Sequence, residues 1–166
     1  QQQRYHVFNQ LRADQALRAM CQNHLFGDFD LKVTVTQIRS PNNGEDYYGI
    51  IFRSSLDQSH YYLFEVLPSA SNGQFVFLRY DNQAVTLATG MAPSLHTKVG
   101  MSNSITIKAN GNQFKFYIND QQVGGAISDP SKAPLKNGQI GLYVEDKGVE
   151  VAFSQLYVST NKNNVR

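Results

Sequence analysis

NSITIKANGNQFKFYINDQQVGG (residues 103–125) and, after a loop, NGQIGLYVEDKGVEVAFSQLYV (137–158) decide how this chain folds. From Asn103 to Val158, apolar and polar residues alternate in short bursts, each ended by Asn-Gly, Gly-Asn, Asn-Asp or Asp-Lys-Gly. Alternation with a period of two, bounded by turn residues, describes antiparallel strands with one buried and one wet face. Asn110-Gly111-Asn112 joins Ile105 to Ala109 and Phe114 to Asn119 into a hairpin. Ile140 to Val144 and Val149 to Val158 supply two further strands.

The same pattern extends upstream. In DFDLKVTVTQIR, starting at Asp28, Phe29, Leu31, Val33 and Val35 point one way, while Asp30, Lys32, Thr34 and Thr36 point the other. Strands are expected over Tyr47 to Arg53, Tyr61 to Leu67, Gln74 to Tyr80 and Ala84 to Thr89. The turn-rich segments SPNNGED, SSLDQS and SASNG and the pair Asp81-Asn82 separate them. The irregular stretch GMAPSLHTKVGMSN has the length of a crossing between sheets, and SDPSKAPLKNG is a loop. Residues 1–27 read as irregular or short strands: Arg4 to Phe8 as a strand, and LRADQALRAMCQNHL either as a helix capped by Asp14, with Leu17, Met20 and Cys21 on one side, or as a strand over Ala16 to Cys21. Residues 159–166 read as a tail. The expectation is a single domain over 1–166, all-β, with about a dozen strands in a two-sheet antiparallel jelly-roll sandwich.

Composition narrows the function. The 166 residues are 41% hydrophobic and 17% charged, with 9 Tyr, 10 Phe and no Trp, enough apolar material for one packed core. A formal charge of +2 without a basic run gives no footprint for nucleic acid. Cys21 is the single cysteine, so no internal disulfide and no cysteine-based zinc site can form. No apolar run reaches the length of a membrane-spanning helix. QQQRYHVFNQ lacks the apolar centre of a signal peptide, so either the chain is not exported or a leader has been removed. No Asn-x-Ser/Thr acceptor occurs.

The segments YYGIIFRSS, HYYLFEV, NGQFVFLRYD, SNSITIKANGNQFKFYIND and GQIGLYVEDKGVEVAFSQLYV, in that order, resemble a bacterial domain of the concanavalin A-like lectin/glucanase superfamily. Laminin-G-like domains and the 3-keto-disaccharide hydrolase family are the relatives in view, and the resemblance covers roughly Asp28 to Val158. It implies a concanavalin A-like sandwich and a carbohydrate-handling protein that is extracellular, periplasmic or on the cell surface. The chain departs from such domains in two places. Their acidic opening strand and Ser-Gly-Trp turn are missing, which implies a gap beside the C-terminal strand. Asn119-Asp120 also stands where Asn-Gly is usual. The alignment favours the strand reading of Ala16 to Cys21.

The residues that could carry chemistry are sparse. Glycosidases need two carboxyl groups about 5 to 10 Å apart across the sugar, and the glucanase run of alternating Glu and Asp is absent. Glu145-Asp146 with Glu150 is the nearest set, but Glu145 and Asp146 are adjacent and point opposite ways, as at a charged hairpin tip. There is no Gly-x-Ser-x-Gly. Neither Cys21 with a histidine nor His6, His24, His60 and His96 among themselves has the spacing of a catalytic or metal site. Calcium, which loop oxygens hold in related domains, could use Asp57, Asp120, Asp129 or Asp146, although isolated loop aspartates more commonly make Asx turns. Gly124-Gly125 has no following helix to bind phosphate.

A recognition surface remains. If Ile50, Phe52, Tyr62, Phe64 and Val66 face inward, alternation turns Arg53, Tyr61 and Glu65 outward. Arg79 joins them if Val76 and Leu78 face the core, and Tyr117 and Asn119 do so if Phe114, Phe116 and Ile118 face inward. Arg53, Tyr61, Glu65, Arg79, Tyr117 and Asn119 are thus the candidate glycan-binding residues, with a cross-strand charge ladder as the structural alternative. Three functions are compatible. The favoured one is a non-catalytic, lectin-like domain without a cofactor. The second is an interaction module or homo-oligomer completed by a neighbouring strand. The third is a hydrolase of glycosides or 3-keto-disaccharides.

Overall fold

A computed structural model of the chain describes residues 3–41, 46–68 and 72–160. The loops SPNNGED and SASNG, and the tail beyond Thr160, lie partly or wholly outside these residues. All regular structure among the described residues is β. The strands are β1 (Arg4–Phe8), β2 (Leu17–Met20), β3 (Phe29–Arg39), β4 (Tyr48–Ser54), β5 (His60–Leu67) and β6 (Gln74–Asp81), then β7 (Gln83–Met91), β8 (Ser102–Asn110), β9 (Gln113–Ile118), β10 (Gln121–Ser128), β11 (Gln139–Val144) and β12 (Glu150–Thr160). They form two six-stranded antiparallel sheets, ordered β1-β12-β3-β8-β9-β10 and β2-β11-β4-β5-β6-β7. No helix among the described residues is long and apolar enough to cross a membrane.

The expected strands are present with ends shifted by one to three residues. Ala16 to Cys21 resolves to β2, because Leu17 and Ala19 turn towards the core while Arg18 and Met20 turn away. Ser159 and Thr160 are the end of β12, not the start of a tail, since they pair with Asp30 and Phe29. The expected gap beside the C-terminal strand is closed by the chain itself: β1 pairs with β12 from Arg4↔Ser154 to Phe8↔Glu150. Asn119 and Asp120 both take positive φ, 49° and 64°, and join β9 to β10 in two residues. That conformation suits an Asn-Asp hairpin turn as well as Asn-Gly.

Inward residues of both sheets make one aromatic core. Phe64 of one sheet stacks on Phe116 of the other with centroids 4.3 Å apart and planes 3° from parallel. Phe52, Tyr62, Phe77 and Phe114 surround that contact, all of them fully buried. Each such ring contributes about 1.5–3 kcal/mol through burial, with further gain from ring-on-ring geometry. The core pins the parity of β4, β5 and β6, and this decides which side chains reach the outer face of the second sheet.

Candidate functional site

On that outer face, residues of β2, β11, β5, β6 and β7, with those just before β2 and just after β11, line a groove of about 380 Å³. The floor is a small apolar cluster of Ile51, Leu63 and Tyr143, with Leu78 and Met20 packed around it. Gly49 sits in register between Tyr143 of β11 and Glu65 of β5. A Cβ there would lie 2.0 Å from the Phe64 carbonyl oxygen and 2.6 Å from the Glu65 Cα, so only glycine fits. Its missing side chain lets the backbone of β5 approach closely at Phe64 and Glu65.

One end of the groove is aromatic and cationic. Tyr61 and Tyr80 are paired across β5 and β6, and their rings stack at 5.0 Å with planes 11° apart. Arg18 reaches from β2, the other side of the sheet, placing its guanidinium carbon 4.9 Å from the centre of the Tyr61 ring. It also donates a 3.1 Å hydrogen bond to the Tyr61 hydroxyl. Held between these neighbours, Tyr61 is buried, while Tyr80 stays half-buried with ring surface facing the groove.

The other end is acidic. Glu65 from β5 meets Glu145 and Asp146, which follow β11. The backbone around them is clamped. Buried Asn9 donates through its side-chain amide to the carbonyls of Gln15, Val144 and Glu145 at 2.9, 3.2 and 2.9 Å. The Tyr47 N–H donates to Asp146 Oδ2 at 3.2 Å. Burial, then the negative charge of Glu145, hydrogen bonding to it and the charge of Asp146 push the Glu65 carboxyl up to about 9. Glu145 and Asp146 are also raised, chiefly by burial. Glu65 is therefore a neutral acid at pH 7, and it is only 5% exposed. Its Oε2 is enclosed without a protein hydrogen-bond partner.

Of the six residues expected on one surface, the structure brings two together here, Tyr61 and Glu65. Arg53 is turned inside by a bulge. The β4–β11 register shifts between Ile51↔Gly141 and Ser54↔Gln139, and Arg53 adopts φ 49°, so its side chain enters the sandwich. There it donates to the carbonyls of Gly27, Gly111 and Leu135 at 3.0, 2.7 and 2.9 Å and to Asp28 at 3.2 Å. Arg79 also points inward, because Phe75 and Phe77, rather than Val76 and Leu78, face the core. It lies 3.3 Å from Asp129, which accepts from the Tyr62 hydroxyl at 2.7 Å. Tyr117 and Asn119 belong to the other sheet. Tyr117 lies beneath Lys108, and Asn119 braces the crossing loop through Ser94 and Ser104.

The dismissal of Glu145 and Asp146 as a hairpin tip is likewise corrected, since both line the groove while Glu150 pairs with His6 on the first sheet at 2.7 Å. The loop aspartates considered for calcium have other work. Asp57 caps its turn through Ser55 and Ser59, Asp120 pairs with Lys32, and Asp129 is buried in the core. Among the described residues, no three His, Cys, Asp or Glu side chains are arranged to hold a metal ion. Sequence reasoning missed Arg18, Gly49, Tyr80 and Tyr143. The usable signal was Tyr80, which the antiparallel pairing of β5 with β6 sets opposite Tyr61.

A family model described as a 3-keto-alpha-glucoside-1,2-lyase-like domain matches residues 7–159. The carbohydrate binding module CBM66 from Bacillus subtilis superposes with a TM-score of 0.73 at 23% identity, covering 90% of this chain and 84% of that one. A Bacillus subtilis protein of unknown function with a galectin-like fold gives a TM-score of 0.70 at 13% identity, over 93% and 81% of the two chains. The beta-glucanase of Bacillus licheniformis gives 0.59 at 10% identity, over 89% and 78%. These likenesses establish a concanavalin A-like sandwich. A search of curated protein sequences finds no match.

Proposed function

The chain belongs to the 3-keto-alpha-glucoside-1,2-lyase-like domain family, and from that premise we propose that it recognises a carbohydrate in the groove on the outer face of the second sheet. One observation carries the reading: the half-buried ring of Tyr80, stacked on a Tyr61 that Arg18 holds in place, shares one open groove with three carboxyl groups. A sugar presents an apolar ring face and a rim of hydroxyls. Tyr80 supplies the flat apolar surface, and Arg18, Glu65, Glu145 and Asp146 supply donors and acceptors for the rim. Few convergent polar groups on an apolar floor, with strongly shifted titration, are the usual marks of a small-molecule site. A carbohydrate-binding module among the structural neighbours supports the same reading. The same reading would set the protein outside the cytoplasm, in an extracellular or periplasmic setting, where polymeric glycans are met.

The test is a glycan array on the purified protein, followed by calorimetry on any hit. Binding that weakens in Tyr80→Ala without loss of fold supports the proposal. Unchanged binding in that variant would place the ligand elsewhere.

A second reading rests on Glu65 itself. A neutral carboxylic acid beside ionisable Glu145 and Asp146 is the arrangement that general acid–base chemistry at a glycosidic bond requires. The family description points the same way. Turnover of a glycoside or 3-keto-glycoside that survives purification and vanishes in Glu65→Gln would promote this reading. Binding without turnover would leave the first.

A further inference from the structure

The two long edges of the sandwich are finished differently. On one, β10 closes over the core: a Cβ added to Gly124 would lie 2.8 Å from the Phe75 ring. On the other, the edge strands β1 and β2 have only five and four residues. Between them is an opening of about 420 Å³, lined by Tyr5, Ala19, Cys21, Ile140, Leu142 and Phe153. Ile140, Leu142 and Phe153 are core residues, so the opening reaches the apolar interior. β1 covers β12 as far as Ser154; β12 then bulges, with Gln155 at φ 51°, and carries Leu156 and Tyr157 past that cover. Shallow grooves adjoin the opening on both sides, sharing Tyr5 and Leu156 with it on one side and Met20 on the other. The resulting band holds the four most exposed large apolar side chains among the described residues, Leu56, Tyr157, Tyr5 and Leu25, each 61% to 74% exposed. Arg4 is the one permanently charged side chain among the described residues that line it. A continuous exposed apolar band of this kind marks an interaction surface.

We propose that this band is the face on which a second copy of the chain docks, edge to edge across a two-fold axis, with the exposed side chains of each copy covering the opening of the other. Three observations favour a second copy as the occupant. The first is charge: a charged partner finds almost nothing to pair with, whereas a second copy brings the same neutral surface, and a formal charge of +2 per chain adds little repulsion. The second is shape. Projecting Tyr5 and Tyr157 stand beside a recess on one surface, which is the self-complementary arrangement that a two-fold contact needs. The third is area. Leu25, Leu56, Tyr5, Leu156 and Tyr157 together expose roughly 600 Å² per copy. Two copies then bury about 1,200 Å², the lower end of what a specific interface requires. The glycan groove is on the outer face of the second sheet and does not share Tyr5, Leu25, Leu56, Leu156 or Tyr157, so the dimer leaves it open.

The experiment is sedimentation velocity of the purified protein over a concentration range that brackets a Kd of about 10–100 μM, the weak association such an area supports. The mass is expected to rise from one chain to two, and added salt should not reverse it, because no ion pair holds the contact. Tyr157→Glu and Leu25→Glu, at the two ends of the band, should each weaken association about ten-fold or more while circular dichroism stays unchanged. Val85→Glu, on the far edge strand β7, should leave it as it is. Exposed Cys21 lines the opening and gives a readout on the native chain: its alkylation rate should fall as protein concentration rises through the Kd. A protein that stays monomeric throughout overturns the inference, and binding of a detergent in the opening of that monomer would make the occupant a small apolar molecule instead. A dimer that survives both band variants, or that Val85→Glu abolishes, overturns it by placing the contact elsewhere.

Discussion

Arg53 and Glu65 sit on neighbouring strands, both expected on the same wet face, and their fates are opposite. Arg53 is carried into the sandwich by a bulge and finds three carbonyls, a carboxylate and the ring of Phe114. Glu65 stays on its expected face, is buried almost as deeply, and keeps an unpartnered oxygen. A buried charge with every donor engaged holds structure together. A buried carboxyl whose nearest partners are two further acids, beside an open groove, is poorly explained by structure alone. This contrast separates scaffold from site more sharply than exposure does.

The contrast breaks most visibly at Arg53. Arg53→Ala removes the donors that tie Gly27, Gly111 and Leu135 together and strands Asp28. It should cost about 3–5 kcal/mol, or about 10 °C in Tm for a chain of this size, as read by thermal and urea unfolding. A loss under about 1 kcal/mol would show that the network is incidental.

Tyr80→Ala tests the other side. Ligand affinity should fall about ten-fold while stability changes by about 1 kcal/mol or less, read by calorimetry and melting on the same sample. A protein that unfolds instead would move Tyr80 to the scaffold.

Glu65→Gln sharpens the comparison through pH. The native carboxyl keeps its proton up to about 9, whereas its ordinary value is 4.5. Between those limits the native state binds more protons than the unfolded chain, so its stability falls as pH rises. The glutamine variant lacks that penalty. Its Tm relative to the parent should therefore climb from pH 5 to pH 9, by about 2–4 °C for each kcal/mol removed. A difference that stays flat with pH would place the proton elsewhere. Tyr117→Ala, on the first sheet beneath Lys108, should leave ligand binding unchanged and stability within about 1 kcal/mol.

The architecture was legible because alternation is a local property. Phe29, Leu31, Val33 and Val35 are all buried, as are Phe114, Phe116 and Ile118. The site was legible only in part, because it depends on pairing between strands. Tyr61 and Glu65 follow from the parity of β5 alone. Arg53 departs from its parity at a bulge, which one extra residue opposite Ile140 creates and no local letter announces. Arg79 was misplaced because both Val76/Leu78 and Phe75/Phe77 are apolar, and only the packing of Phe77 against Phe114 decides between them. Tyr117 lies on the opposite sheet, a fact of topology, and Asn119 leaves β9 at a positive-φ turn where its side chain bonds Ser94, Asn103 and Ser104. Glu145 and Asp146 point apart along the chain, yet the turn after β11 brings both to Glu65.

The most direct test of the central claim is a carboxyl-carbon NMR titration of the free protein, assigned through Glu65→Gln. Glu65 is expected to titrate at about 9, with Glu145 and Asp146 also above the ordinary carboxylate range. A Glu65 midpoint near 4.5 would mean that the groove holds no buried acid, and the site assigned to it would lose its basis.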